Sequence, residues 1–175
     1  MYRVYLLLGS NMGDRQAMLD AANLELIDAL LPDYLEVAAL GDAVNTSAVM
    51  ETEPWGFDAP QKFLNQSFCC LTELELRQVL EACQRIETEL GRVRTAPRFN
   101  EAGERIYESR VIDIDILAFE RENGGAWEAV EVNEPDLAIP HPQLESRDFA
   151  RKLYEELKGV KKAAEKSVGK KKFKK

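Results

Sequence analysis

Two aspartates stand two residues apart in the clearest strand pattern of the chain, residues 110–119. Side chains alternate between the two faces of a strand, so Asp113 and Asp115 project from one face, about 7 Å apart. The isoleucines that alternate with them point toward the core. Two carboxylates at this spacing can hold one or two magnesium ions against a polyphosphate. The alternative is an amphipathic strand whose acidic face meets solvent.

A group of arginines precedes this strand. Arg92 and Arg94 open a basic, aperiodic stretch, residues 92–109, and Arg110 follows it beside the aspartates. A stretch of this length is long for a structureless loop in a compact domain, and such loops are often functional. Its arginines can close over phosphates and neutralise charge during transfer. A solvated basic loop is the alternative, but the direct connection to the aspartate strand favours a common site.

Three polar side chains are candidates for contacts to a nucleotide or heterocycle. Gln84 and Glu87 lie three residues apart on a predicted helix, so they are neighbours on its surface. A purine or pterin edge could hydrogen-bond there, although a solvated helix face is the simpler interpretation of the pair alone. His141 is the only histidine, and the prolines on both sides of it restrict its backbone. This suits either a ligand contact or a structural role.

Aromatic residues offer surfaces for a flat ligand. Phe63 and Phe149 could stack on a heterocycle, and Asn65 could read its edge through its paired donor and acceptor. Either phenylalanine could equally be a core residue. Residues 9–13 do not form a phosphate loop of the Gly-Lys-Ser/Thr kind, and that motif is absent from the sequence. An enzyme with this sequence would bind ATP without that device.

The elements that must position these residues follow from apolar periodicity. Strands are predicted over 2–8, 35–49, 63–71, 110–119 and 126–132, and helices over 14–31, 74–90 and 144–158. The order strand, helix, strand, strand, helix, strand is typical of an α+β ferredoxin-like sandwich. We expect an antiparallel sheet with helices packed on one of its faces.

Composition limits the class of protein. The chain has 175 residues and a net charge of -8, but residues 158–175 hold nine lysines and one glutamate. We therefore expect a catalytic domain over 1–157 and a disordered lysine-rich tail over 158–175. The acidic body argues against nucleic-acid binding, and no signal peptide or membrane span is visible. Three cysteines without ligand spacing predict buried thiols rather than disulfides or zinc. We expect a cytoplasmic monomer with no nucleic-acid or membrane partner.

Taken in order, these segments resemble the 6-hydroxymethyl-7,8-dihydropterin pyrophosphokinase family of folate synthesis. The matching pieces are residues 8–15, 52–56, 63–65, 84–87, 91–94, 110–117 and 139–142, followed by Arg147 and Phe149. Each piece is weak or moderate alone, but the ordered set is specific and covers residues 2 to about 150. The resemblance implies attack of the pterin hydroxymethyl oxygen on the β-phosphorus of ATP, which gives the pterin diphosphate and AMP.

The resemblance also implies roles for the residues on the phosphate side. Asp113 and Asp115 would hold two magnesium ions that bridge the phosphates. Arg92 and Arg94, on a loop that closes over the site, would neutralise charge, and Arg110 would contact phosphate.

The same resemblance implies which residues line the binding sites of the two substrates. The residues implied for the ATP site are Gln84, Glu87, Arg94, Arg110, Ile116 and His141. The pterin would lie between Phe63 and Phe149, and its edge would be read by Asn65 and by the backbone around Thr52, Glu53 and Trp55.

Several positions depart from the pattern of the family. Position 95 is threonine where many members have lysine, and residues 98–110 form a longer stretch than usual. Either Phe99 or Tyr107 takes the place of a loop tryptophan, and the spacing to Arg110 favours Tyr107. Glu53 stands where proline is frequent, and the lysine-rich helix and tail replace an apolar segment.

Two other functions are compatible with parts of the sequence. The aspartates and arginines alone would suit a two-metal nucleotidyl or phosphoryl transferase with a different substrate. The lysine-rich tail alone would suit a non-catalytic ferredoxin-like module that binds RNA or acidic partners, although the acidic body and the missing aromatic RNA-binding motifs weigh against it.

Overall fold

A computed structural model describes residues 1–31, 43–54, 57–94, 98–99, 101, 103, 105–106 and 108–159. The strands are β1 (Tyr2–Ser10), β2 (Val44–Thr46), β3 (Met50–Thr52), β4 (Phe63–Thr72), β5 (Arg98–Phe99), β6 (Arg105–Ile106), β7 (Asp113–Asn123), β8 (Ala126–Ala129), β9 (Val132–Glu134) and β10 (Leu137–Ile139). The helices described over more than one residue are α1 (Arg15–Leu30), α2 (Leu76–Glu89) and α3, which is described over 148–159.

The main sheet has six strands and is antiparallel. Its order is β2-β4-β1-β7-β8, and β3 also pairs with β4. The central strand β1 is apolar on both faces, because its residues run Tyr-Arg-Val-Tyr-Leu-Leu-Leu rather than alternating with polar side chains, and all but the first are buried. The predicted α+β ferredoxin-like sandwich is confirmed.

Helices cover both faces of this sheet, so the expectation of helices on one face was wrong. Helices α1 and α2 cover the face that carries Val4, Leu6 and Leu8. Helix α3 covers the opposite face, where Leu153 and Leu157 pack with Tyr5, Leu7, Cys69 and Leu117. The two apolar faces of β1 require two covers, since an uncovered apolar face would remain exposed to water. The second face, which α3 covers, carries the two aspartates of the candidate site.

Most predicted elements are present with shifted ends. Helix α1 is capped by Asp14, whose carboxylate accepts a hydrogen bond from the Ala17 N–H at 3.1 Å. Strand β4 pairs with β2, which lies within the predicted strand 35–49, and with β3, whereas residues 32–42 lie outside the described part. The stretch 92–109 is not wholly irregular, because β5 and β6 pair within it. The third helix begins at residue 148, after turns over 142–146.

Two expectations from composition can be compared with the structure. All three cysteines are free and buried, as predicted. Helix α3 runs to residue 159, and residues 160–175 of the lysine-rich tail lie outside the described part, so the division at residue 157 stays a prediction. None of the helices among the described residues combines the length and apolar character needed to cross a bilayer.

Candidate active site

The β1–β7 register places both aspartates on the sheet face that α3 covers. Asp113 pairs with Gly9 and Asp115 pairs with Leu7, whose side chain packs on that face. Ile114 points the other way, into the core beneath α1 and α2. The sequence prediction that the two carboxylates share one face is therefore confirmed.

Asp113 is held between two guanidinium groups. One carboxylate oxygen pairs with Arg92 and the other with Arg110, and 16% of the Asp113 side chain is exposed. Burial acts to raise the pKa of Asp113, but Arg110 and Arg92 outweigh burial and lower this pKa below its usual value. Asp113 is thus ionised and already neutralised by internal cations.

Asp115 has the opposite electrostatic character. Burial and then the neighbouring charge of Asp113 raise the pKa of Asp115 to about 7, against the opposing effect of Arg110. Two carboxylates close together cannot both ionise freely without added positive charge. The pair is therefore a place where a cation would be favourable.

Glu87 links the arginine segment to the aspartate strand. Its side chain is 1% exposed, and one oxygen accepts a hydrogen bond from the Ile114 N–H at 2.8 Å. The same carboxylate pairs with Arg92 and with Arg94. Burial raises the pKa of Glu87, while Arg92 opposes this shift. The alternative of a solvated position is wrong for Glu87, because β7 packs over this part of α2.

A large cleft collects the residues that were predicted for the nucleotide. It holds about 1290 Å³ of empty space up to its open mouth. Its lining includes Gln84, Glu87, Arg92, Arg94, Arg110, Ile116 and His141. Gln84 is exposed on α2, whereas Ile116 is buried at the floor. The β9–β10 hairpin forms the opposite wall through residues 134–138.

His141 is fixed in its neutral form at the edge of this cleft. The backbone N–H of His141 donates to the Leu117 carbonyl at 2.9 Å, and the ring Nδ1 accepts from the Gln143 backbone N–H at 3.2 Å. Burial, followed by the charge of Arg147, lowers the pKa of His141 below 6.5. The ring therefore offers its other nitrogen as a neutral hydrogen-bonding group.

A smaller cavity of about 530 Å³ lies on the other side of the aspartates. Phe63 and Phe149 line it, together with Thr52, Glu53 and Asn65. The Asn65 Nδ2 donates to Thr52 Oγ1 at 2.9 Å, and Asn65 is 4% exposed. Five of the six residues predicted for the pterin thus meet at one cavity; the sixth, Trp55, lies outside the described residues.

Sequence analysis missed some residues of the smaller cavity. Phe57 lines it and meets Phe63 edge to face, with ring centroids 6.3 Å apart. Gly9 forms part of the wall, where an added Cβ would lie 3.2 Å from Asn65 Oδ1. Arg147 lines both cavities but was given no role. An aromatic residue in a Pro- and Gly-containing loop was the available signal for Phe57, whereas Gly9 and Arg147 lay in the segments that match the family but were given no role in the cavity.

Two departures from the family pattern can be placed. Glu53 is exposed at the cavity rim and pairs with Lys62 at 2.5 Å. Phe99 is 61% exposed in the β5–β6 ribbon, whereas Tyr107 and Thr95 lie outside the described residues. The choice between Phe99 and Tyr107 as loop aromatic stays a prediction.

The two cavities share one boundary. Arg110, Asp113, Asp115 and Arg147 line both of them. Ligands in the two cavities would therefore face each other across two carboxylates and two guanidinium groups. This arrangement suits transfer of an anionic group between a ligand in one cavity and a ligand in the other.

Comparison with known proteins identifies the family. Residues 5–159 match the family model described as 7,8-dihydro-6-hydroxymethylpterin-pyrophosphokinase (HPPK). The chain is 38% identical over 148 residues to a protein of Porphyromonas gingivalis, with 85% of each chain covered. It is 39% identical to one of Methylorubrum extorquens, with 85% of this chain and 78% of the relative covered. It is 34% identical to one of Bacillus subtilis, with 83% of this chain and 71% of the relative covered. All three are named 2-amino-4-hydroxy-6-hydroxymethyldihydropteridine pyrophosphokinase. The chain therefore belongs to the 7,8-dihydro-6-hydroxymethylpterin-pyrophosphokinase family.

Proposed function

We propose that the two substrates of the family's reaction bind in separate cavities, the nucleotide in the large cleft and the pterin in the small cavity. The reaction is pyrophosphoryl transfer from ATP to 6-hydroxymethyl-7,8-dihydropterin, a step of folate biosynthesis. The pterin hydroxymethyl oxygen bonds to the β-phosphorus and releases its proton to water, the bond from that phosphorus to the α–β bridging oxygen breaks, and AMP leaves with the bridging oxygen. This assignment rests on one observation, which is that the two cavities share a boundary.

Asp113 and Asp115 are the residues that would hold magnesium. Their carboxylate oxygens are the hard ligands that Mg²⁺ prefers, and both lie at the cavity boundary. No group of three or more His, Cys, Asp or Glu side chains suited to a metal occurs among the described residues. The other ligands would therefore be phosphate oxygens and water, which fits two ions that arrive with ATP. When bound, such ions would neutralise negative charge on the phosphate groups.

The arginines would neutralise the transferred group. Arg92 and Arg110 flank Asp113, and Arg94 lies beside them on the same segment. Their guanidinium groups match phosphate oxygens in geometry and remain charged at any physiological pH. Arg92 is paired with Glu87 and Asp113 in the structure, so phosphate oxygens would have to replace a carboxylate as its partner.

The remaining residues would bind the two substrates. Gln84, Glu87, Ile116 and His141 would line ATP in the large cleft. Phe63 and Phe149 would stack on the pterin, as flat apolar rings do on heterocycles. The Asn65 Oδ1, on the amide whose Nδ2 is held by Thr52, would accept a hydrogen bond from the pterin edge. Trp55 and the backbone beside it remain expectations from the resemblance, as does a role for Glu53.

Product analysis tests this function directly. The protein is incubated with ATP, magnesium and 6-hydroxymethyl-7,8-dihydropterin, and the nucleotide product is identified by chromatography. We expect AMP in a one-to-one ratio with the pterin diphosphate, and neither product when magnesium or the pterin is omitted. ADP as the nucleotide product would contradict pyrophosphoryl transfer. A monomeric state and a cytoplasmic location are part of the proposal and rest on the sequence alone.

A further inference from the structure

Asn11 makes an unusual number of contacts just after the end of β1. It is 2% exposed. Its backbone N–H donates to the Arg110 carbonyl at 3.1 Å, and its Oδ1 accepts from the Arg110 N–H at 2.7 Å. Its Nδ2 donates to Ser109 Oγ at 3.0 Å and lies 3.4 Å from the Gln61 carbonyl. Asn11 thus binds both backbone polar groups of Arg110, the N–H through its side chain and the carbonyl through its own backbone N–H.

These contacts lie beyond the end of the pairing between β1 and β7. The paired residues of β1 and β7 end at Gly9 and Asp113, three residues after Arg110. The Arg110 guanidinium must nevertheless reach Asp113 at the boundary between the two cavities. The main chain and side chain of Asn11 supply the two hydrogen bonds that fix the Arg110 backbone beyond the last paired residues.

We propose that Asn11 is a positioning residue that acts through Arg110 and sets the place of its guanidinium group at the cavity boundary. The inference rests on the proposed role of Arg110 in phosphate binding. It follows from a general property of catalytic sites: small displacements of a charged group weaken the stabilisation of the transition state strongly. Asn11 itself touches neither substrate in this proposal.

A double-mutant cycle separates positioning from general structural support. The steady-state rate of AMP formation is measured for wild type, Asn11→Ala, Arg110→Ala and the double variant. We expect Asn11→Ala alone to lower kcat about 30-fold, with a smaller change in the KM for ATP. In the Arg110→Ala background the same change should lower kcat by less than about 3-fold, because the group that it positions is already gone.

Two control variants exclude trivial causes. Asn23→Ala removes a comparable side-chain amide, whose Nδ2 donates to Gln66 Oε1 at 2.8 Å on the opposite face of the sheet. It should lower Tm but leave kcat unchanged. Ser109→Ala removes one partner of Asn11 and keeps the Arg110 contact, so its kcat should stay within about 3-fold of wild type.

Each result is decisive. Equal losses of kcat from Asn11→Ala in both backgrounds, or an equal loss of kcat in Asn23→Ala, would overturn the positioning role while leaving the proposed function intact. Full activity of Arg110→Ala would instead remove the proposed role of Arg110, and the inference about Asn11 would fall with it.

Discussion

The two cavities that meet at Asp113 and Asp115 differ in how they can bind a ligand. The small cavity presents aromatic rings, Phe57, Phe63 and Phe149, around one buried amide. The large cleft presents arginines and carboxylates that are paired with each other. The first offers stacking and edge recognition, and the second offers charge that must be rearranged before it can act. The difference predicts which variants affect rate and which affect the affinity for one substrate.

The largest effect is expected at the shared boundary. Asp115→Ala should lower kcat by about three orders of magnitude or more, because the phosphates would lose part of their metal clamp. The rate of AMP formation measures this effect. Glu122→Gln changes an exposed acid on the same strand and should leave the rate unchanged. Activity of Asp115→Ala within 10-fold of wild type would remove the carboxylate pair from the mechanism.

A change confined to the charged cleft should affect rate more than affinity. Arg92→Ala should lower kcat about 100-fold and change the Kd for ATP by less than about 3-fold, as expected for a group that acts mainly in the transition state. Calorimetry with a non-hydrolysable ATP analogue measures the Kd. Arg85→Ala, an exposed arginine on α2 that pairs with Glu89, serves as the control. Equal losses in both quantities would make Arg92 a simple binding residue.

A change confined to the small cavity should show the reverse. Phe149→Ala should raise the Kd for the pterin about 10-fold, because one stacking surface is lost. The Kd for the ATP analogue should stay unchanged and provides the internal control. If both affinities fell together, the division of the substrates between the two cavities would be wrong.

The smallest effect concerns the proton affinity of His141. An NMR titration of this single histidine should give a pKa below 6.5, and Arg147→Gln should raise this pKa, because a neighbouring positive charge is removed. The pKa of His141 is lower in the folded state than in the unfolded state. The neutral ring therefore contributes to the free energy of unfolding above pH 6.5, and this contribution is lost as the pH falls through the folded-state pKa.

Arg151→Gln, an exposed arginine one turn further along α3, should not change the pKa of His141. A measured pKa at or above 6.5 would contradict the effect of partial burial and of Arg147 on the ring.

Local patterns predicted most of the fold and the centre of the site. Apolar periodicity indicated β1, α1, α2 and β7, because burial of one face or of both faces leaves a mark on consecutive residues. Alternation along β7 was sufficient to put Asp113 and Asp115 together. The residues that the ordered motifs grouped for each substrate line one cavity each, apart from Trp55, which lies outside the described residues.

Contacts between distant segments could not be predicted in this way. Glu87 was placed on a helix surface, but its burial depends on the packing of β7 over α2. Which face of the sheet α3 covers depends on which side of β1 remains open after α1 and α2 have packed. The contact of Asn11 with Arg110 joins residues 99 positions apart, and no local pattern records such a partner.

Because Arg92 is paired with two internal carboxylates, a free anion should bind only weakly to the site without ligands. An inorganic phosphate or sugar phosphate that bound Arg92 would remove a positive partner from Asp113 and Glu87 without supplying another cation. Under the proposed function, a magnesium–nucleotide complex would replace both partners, because its metal would pair with the acids and its phosphate oxygens with the guanidinium. Selectivity against the many other phosphorylated metabolites of a cell would then arise from charge balance, before any recognition of adenine.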